Sequence, residues 1–200
     1  MSLTVRHTVI GSHNTNQLEA AYAKTCRALR QNTQPSAIRA AITTHLKPLA
    51  TDDATLVDDF KRFRTVKNIT ASDRAILVSM NQAMGTGEME VSSSGKVQVE
   101  HIFPRSPSTE ALKESGLTAD DADDLTLQLG NLTLLKTKLN QSSSNKPYSS
   151  KLPLLSKSEL PMTRELVSKY KIWTAQTIQQ RTESLGQLAT KVWPYSALED

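Results

Sequence analysis

Apolar side chains along the first ninety residues recur every three or four positions, the period of a helix with one buried face. Leu18, Tyr22, Cys26 and Leu29 mark such a stripe and predict a helix from Asn14 to about Arg30, with Cys26 as a small core residue. Pro35 stands where the first residue of a second helix is favoured, and Pro48 stops that helix after Leu46. Asp52 and Asp53 can cap a third, carrying Leu56, Val57, Phe60 and Phe63. Ser72 is a candidate N-cap for a fourth, with Ile76, Leu77, Met80 and Met84 inward and Gly85 closing it. Residues 1–13 show no period and are expected to fray.

The pattern then changes. Gly85-Thr86-Gly87 and Ser92-Ser93-Ser94-Gly95 bracket a polar turn region, the best place for a boundary between a helical part, 1–90, and a second part, 91–200. The second part opens on Val97-Gln98-Val99-Glu100-His101-Ile102-Phe103-Pro104, a β-branched alternating run that a proline must end or bend. Glu100 and His101 are thereby left at a strand terminus, where a local irregularity lets neighbouring side chains serve one site. A second apolar run, Leu129-Gly130-Asn131-Leu132-Thr133-Leu134-Leu135, leads into Lys136-Thr137-Lys138-Leu139-Asn140-Gln141, which reads as a helix start. Between the runs, 105–126 holds a short helix around Thr109–Ser115 and then Asp120, Asp121, Asp123 and Asp124 behind Thr118. Acids in the first turn of a helix capped by Thr118 complement its dipole, and their spacing lacks the turn glycine of a calcium loop. Ser142 to Pro147 reads as a loop, and Pro161 opens a long helix with Leu166, Tyr170, Trp173, Thr177, Arg181, Leu185, Leu188 and Val192 along one side. Arg181 within that stripe has three readings: snorkelling at the rim, pairing inward, or reaching a nucleic acid. Trp173 and Trp193 read first as packing residues.

Composition narrows the classes. Hydrophobic residues make up 38% and aromatics 4%, which calls for an aliphatic, largely helical core. One cysteine excludes a disulfide framework and a cysteine-rich zinc site. No apolar run approaches the ~18 residues of a membrane span, and no apolar leader opens the chain, so a cytoplasmic protein without membrane association is expected. His7, His13 and His45 lack ligand-spaced companions and read as surface or capping residues. Net charge is only +4, but residues 136–171 hold eight basic side chains against Glu159 and Glu165, whereas 104–130 set Arg105 and Lys113 against six acids.

Strand, strand and helix, with Glu100-His101 on the first, Asn131 opening the second and Asn140 on the helix, resemble the HNH (His-Me finger) endonucleases. The runs VEHIFP, LGNLTLL and LNQSSSNKPYSSK and the late Trp173, Ile178, Arg181, Leu185 and Trp193 resemble more closely the C-terminal nuclease domain of GmrSD-type modification-dependent restriction enzymes. The resemblance covers roughly half the chain. It implies a mainly α fold with a small β-hairpin, a helical domain enclosing a ββα-metal finger, and hydrolysis or nicking of double-stranded DNA in anti-phage defence. It makes His101 the general base, gives a single Mg²⁺ or Mn²⁺ to Glu100 and Asn140, and has Asn131 hydrogen-bond backbone so as to fix His101. Asn145 is an alternative ligand. Lys138, Lys146, Lys151 and Arg181 become candidate contacts to DNA phosphates, since the basic segment begins where a phosphate backbone would lie. Relatives of this type join the nuclease to an N-terminal NTP-using sensor. No Walker-type loop is present here, so a C-terminal part of a larger protein is expected. Two rival functions share the residues: a nucleic-acid-binding scaffold whose finger is inactive, and an RNA-cleaving toxin.

Overall fold

The computed structural model describes residues 2–66, 68–85, 97–143 and 145–195. Helices dominate, and the described residues hold one two-stranded antiparallel sheet. The turn region expected beyond Gly85, with its boundary at residue 90, falls outside the described residues. The chain divides into two compact units, one of residues 1–63 and 186–200, the other of 64–185.

In the first unit, α1 (Ser2–Thr4) runs on into a π-helical turn, Val5–Ile10, followed by α2 (Thr15–Gln31), α3 (Pro35–His45) and α4 (Asp53–Arg62). The caps follow local chemistry. Asn14 accepts from Asn16 N–H, Pro35 is the first residue of α3, and Asp52 accepts from Thr55 N–H. Leu3, Leu18, Ala21 and Leu46 form one core cluster, and α4 buries Leu56, Val57 and Phe60. Two expectations fail here. Residues 2–10 do not fray, because buried Arg6 donates to Trp193 O at 2.6 Å and Thr51 O at 2.7 Å and pairs with Asp53. His7 is buried as well, its Nδ1 on Leu49 O at 3.1 Å. Conversely Cys26 is exposed, since α2 buries Leu18, Ala21 and Thr25 instead.

The second unit comprises α5 (Ala71–Met84), β1 (Val97–His101), α6 (Thr109–Ser115), α7 (Ala119–Thr126), β2 (Leu132–Lys136), α8 (Thr137–Ser143), α9 (Tyr148–Leu155), α10 (Pro161–Lys169) and the first turns of α11 (Ala175–Val192). The N-cap of α5 is Thr70 in a capping box with Asp73, rather than Ser72. Thr118 and Asp121 form a second capping box on α7, and Asp124 accepts from Arg64 Nε at 2.7 Å and Nη2 at 2.8 Å. Asp121 is thus spent on helix capping and Asp124 on an ion pair, while Asp120 lies in the first turn. β1 and β2 pair with Glu100 opposite Thr133 and His101 opposite Leu132, and α8 packs against both strands. Below them Ile102, Phe103, Leu135, Leu155, Leu166 and Trp173 share one core. The long helix expected from Pro161 is two helices. Tyr170 turns extended, its carbonyl accepts from the Tyr148 hydroxyl at 2.7 Å, and Thr174 and Thr177 exchange bonds that start α11. The apolar stripe runs through the break because Leu166, Trp173, Arg181 and Leu185 are buried on both sides of it.

Candidate active site

Glu100 and His101 end β1, and the segment beyond them is shaped by Asn131. Ile102 N–H donates to Asn131 O at 2.9 Å, the last backbone rung between the strands. The Asn131 side chain then supplies a further rung: Phe103 N–H donates to its Oδ1 at 2.8 Å, and its Nδ2 donates to Phe103 O at 2.9 Å. A side-chain amide thus imitates a strand partner where Pro104 stops the ladder. The chain bends through Ile102 and Phe103, and Glu100, His101, Pro104 and Arg105 all line one pocket.

Asn131 is itself gripped from the C-terminal helices. Trp173 Nε1–H donates to its Oδ1 at 2.9 Å. Arg181 donates from Nη1 to Gly130 O at 2.6 Å and Leu132 O at 2.7 Å, the carbonyls on either side of Asn131. Gly130 must be glycine, since a Cβ there would lie 2.1 Å from Thr182 Oγ1 and 2.5 Å from Ile178 O. Burial pulls the Arg181 guanidinium down to about 10. The phosphate contact expected of Arg181 is therefore replaced by a structural role: it is 1% exposed and committed to backbone carbonyls.

The pocket has a volume of about 330 Å³ and is lined by Glu100, His101, Pro104, Arg105, Asn140, Asn145 and Lys151. Two of its polar atoms, His101 Nε2 and Asn140 Oδ1, are buried without a hydrogen-bond partner. The other end of the Asn140 amide donates to Gln98 Oε1 at 2.8 Å. Gln98 thereby decides that the oxygen, not the nitrogen, is left for a ligand. Burial and the charges of Arg105 and Lys151 push the His101 imidazole down to about 4, so it is neutral at pH 7 with a lone pair to accept a proton.

Lys151 is the other departure from expectation. It is 1% exposed, with Nζ on Glu100 Oε1 at 2.7 Å and on His101 O at 2.6 Å. Burial lowers its pKa against the opposing pull of Glu100. It underpins the carboxylate and the strand end, and is no outward phosphate clamp. Lys138, Lys146 and Asn145 are exposed. Arg105, which sequence reasoning passed over, brings a cation to the pocket mouth; its position directly after Pro104 was the available signal. Gln98 was legible only as the residue sharing a strand face with Glu100.

Among the described residues no three His, Cys, Asp or Glu side chains cluster as a metal cage. A cation here would rest on the Glu100 carboxylate and the orphaned Asn140 oxygen, with water and substrate completing its shell. That sparse all-oxygen donor set fits a hard ion such as Mg²⁺ or Mn²⁺, which keeps several waters.

No helix among the described residues is long and apolar enough to cross a membrane. No curated protein matches the chain. The family described as the C-terminal domain of GmrSD restriction endonucleases matches residues 50–188, a span that includes Glu100, His101, Asn131, Asn140, Lys151, Trp173 and Arg181. With most of its length inside that match, the chain belongs to the C-terminal domain family of GmrSD restriction endonucleases, a nuclease and hence hydrolase class.

Proposed function

We propose that this chain is a metal-dependent DNA endonuclease of the HNH type, nicking double-stranded DNA in a restriction-type defence system. The observation that carries the reading is that His101 and Asn140, whose Nε2 and Oδ1 are buried without a hydrogen-bond partner, line one pocket with Glu100. In this reading β1, β2 and α8 are the ββα finger. Its step is in-line hydrolysis. His101 Nε2 takes a proton from water as the water oxygen bonds to phosphorus, and the bond from phosphorus to the 3′ oxygen breaks. Glu100 and Asn140 would hold a hard divalent ion, which would supply charge for the crowded phosphate and for the departing 3′ oxygen until that oxygen takes a proton from solvent. Arg105 offers a guanidinium to the non-bridging phosphate oxygens. Lys151 holds Glu100 in place, and Asn131 holds His101 through the backbone of Phe103. Lys138 and Lys146 are exposed, as contacts to flanking phosphates require. An NTP-using sensor is proposed as the partner that directs this domain.

The experiment is plasmid nicking with Mg²⁺, Mn²⁺ or excess chelator. Wild type should nick only with metal, and His101→Ala should lose ~10²–10⁴-fold in rate while still binding DNA. Undiminished cutting in chelator, or by His101→Ala, rejects the mechanism. Binding without cutting under every condition returns the chain to an inactive scaffold. Preferential cutting of RNA in a parallel digest makes it a ribonuclease.

A further inference from the structure

A second charged feature lies outside the pocket and outside the family match. Between Glu19 and Asp52 the sequence holds Lys24, Arg27, Arg30, Arg39 and Lys47 and no acidic residue. The whole chain is +4, so everything outside this stretch sums to −1. The other basic segment is partly spent on partners: Lys136 on Glu159, Lys169 on Glu165 and Lys151 on Glu100.

Lys24, Arg27 and Arg30 lie on α2 and Arg39 on α3, two packed helices with a short connection, and Lys47 follows the end of α3. Leu18, Ala21 and Thr25 of α2 and Ala41 of α3 turn inward, while Lys24, Arg27, Arg30 and Arg39 are exposed. Lys24, Arg27 and Arg30 have no side-chain hydrogen bond or ion pair among the described residues. At steps of three they follow one side of α2 over about 9 Å. That length reaches two or three phosphates of one strand, at roughly 3.4 Å of axis per phosphate. Their exposed neighbours are small or neutral, Ala20, Ala23 and Gln31 among them, so a backbone can come close.

Helix electrostatics alone does not account for the pattern. Basic residues near a helix C-terminus complement its dipole, but the matching acids belong in the first turn. Helices α4, α5 and α7 carry such acids, Asp53, Asp73, and Asp120 with Asp121. Helices α2 and α3 carry none, as is also true of α8 to α11, but of these only α2 sets three exposed cations at steps of three along its length. Like charges spaced along one helix side cost stability, a cost that an external polyanion would relieve.

We infer that the outer face of the α2–α3 hairpin is a second DNA contact, which binds the phosphodiester backbone without reading sequence. The inference rests on DNA being the substrate. It is tested with the full chain in chelator, so that DNA stays intact, by measuring duplex binding across a salt series for wild type and Lys24→Gln/Arg27→Gln/Arg30→Gln. Glutamine preserves helix propensity, and circular dichroism checks the fold. The variant should bind about tenfold or more weakly at 0.1 M salt, with a log–log slope shallower by about 2–3. With metal added, its KM for plasmid should rise while kcat is unchanged. Wild type that nicks DNA alongside a variant with the same slope and KM overturns the hairpin role and leaves the nuclease reading standing. Wild type that neither binds nor nicks DNA overturns both. If the variant instead loses binding to phosphatidylserine vesicles and keeps its DNA affinity, the surface serves an anionic membrane and the inference is wrong.

Discussion

Glu100 and His101 are adjacent in sequence and answer to opposite demands. One is a buried carboxylate held by a buried ammonium, with side-chain exposures of 11% and 1%. The other is an imidazole kept neutral by burial and nearby cations. Each makes a testable demand on stability. His101 falls from its usual 6.5 to about 4, so the unfolded chain binds the extra proton first as pH drops. The stability it contributes is complete above pH 6.5 and is lost as pH falls through the interval down to 4, a loss of up to about 3 kcal/mol. Denaturant unfolding of wild type and His101→Asn between those limits should show this decline in wild type only. Parallel pH profiles would mean that the imidazole is not held neutral. Lys151→Met takes the ammonium away from a buried carboxylate and should cost about 3–5 kcal/mol, and Glu100→Gln in the same chain should restore much of it. A near-neutral single variant would place the pair in solvent. Sequence exposes the Glu-His pair because the two residues adjoin at a strand end. It hides Lys151, whose partner lies 51 positions away.

Elements were legible wherever a local rule decides them. The N-caps Asn14, Asp52 and Thr118 and the opening prolines Pro35 and Pro161 are short-range chemistry, and the strand pair follows from alternation ended by Pro104. The misses come from distant partners. The first turns are ordered because Arg6 reaches Thr51 and Trp193, and the helix from Pro161 ends at extended Tyr170, whose carbonyl takes the Tyr148 hydroxyl, before Trp173 turns in toward Asn131. Through Asn131, that indole links the approach to α11 to the bend that follows His101. Trp173→Phe keeps most of the apolar contact and removes one donor from Asn131 Oδ1, which retains Phe103 N–H. It should lower stability by about 1–3 kcal/mol. It should also lower kcat by ~10-fold or more with little change in KM, since a small displacement of a positioned base is costly. Arg181→Lys, retaining a donor for Gly130 O or Leu132 O, should be milder than Arg181→Met. A fall in stability with kcat untouched would reduce the indole to a packing group.

At the scale of the whole molecule, the signals the chain can sense are set by the architecture it contains. A phosphate-binding loop of the Walker kind needs a strand, a glycine-rich turn and a helix N-terminus in succession. The sequence has seven glycines and no G-x-x-x-x-G-K-[ST] run, and the only sheet among the described residues is the β1–β2 pair. The family match names a C-terminal domain of restriction endonucleases. The 200 residues are therefore expected to nick DNA weakly and without regard to sequence or base modification. The rate should fall steeply with salt, because backbone contacts dominate such binding. Adding GTP or ATP, with metal in excess so that chelation is excluded, should leave the rate unchanged on modified and unmodified plasmid alike. If nucleotide accelerates nicking, or modified plasmid is clearly preferred, the sensor lies within these residues. The helical unit of residues 1–63 and 186–200 would then be where to look for its pocket, and deleting charge from the outer face of α2 would test whether the same surface reports the modification.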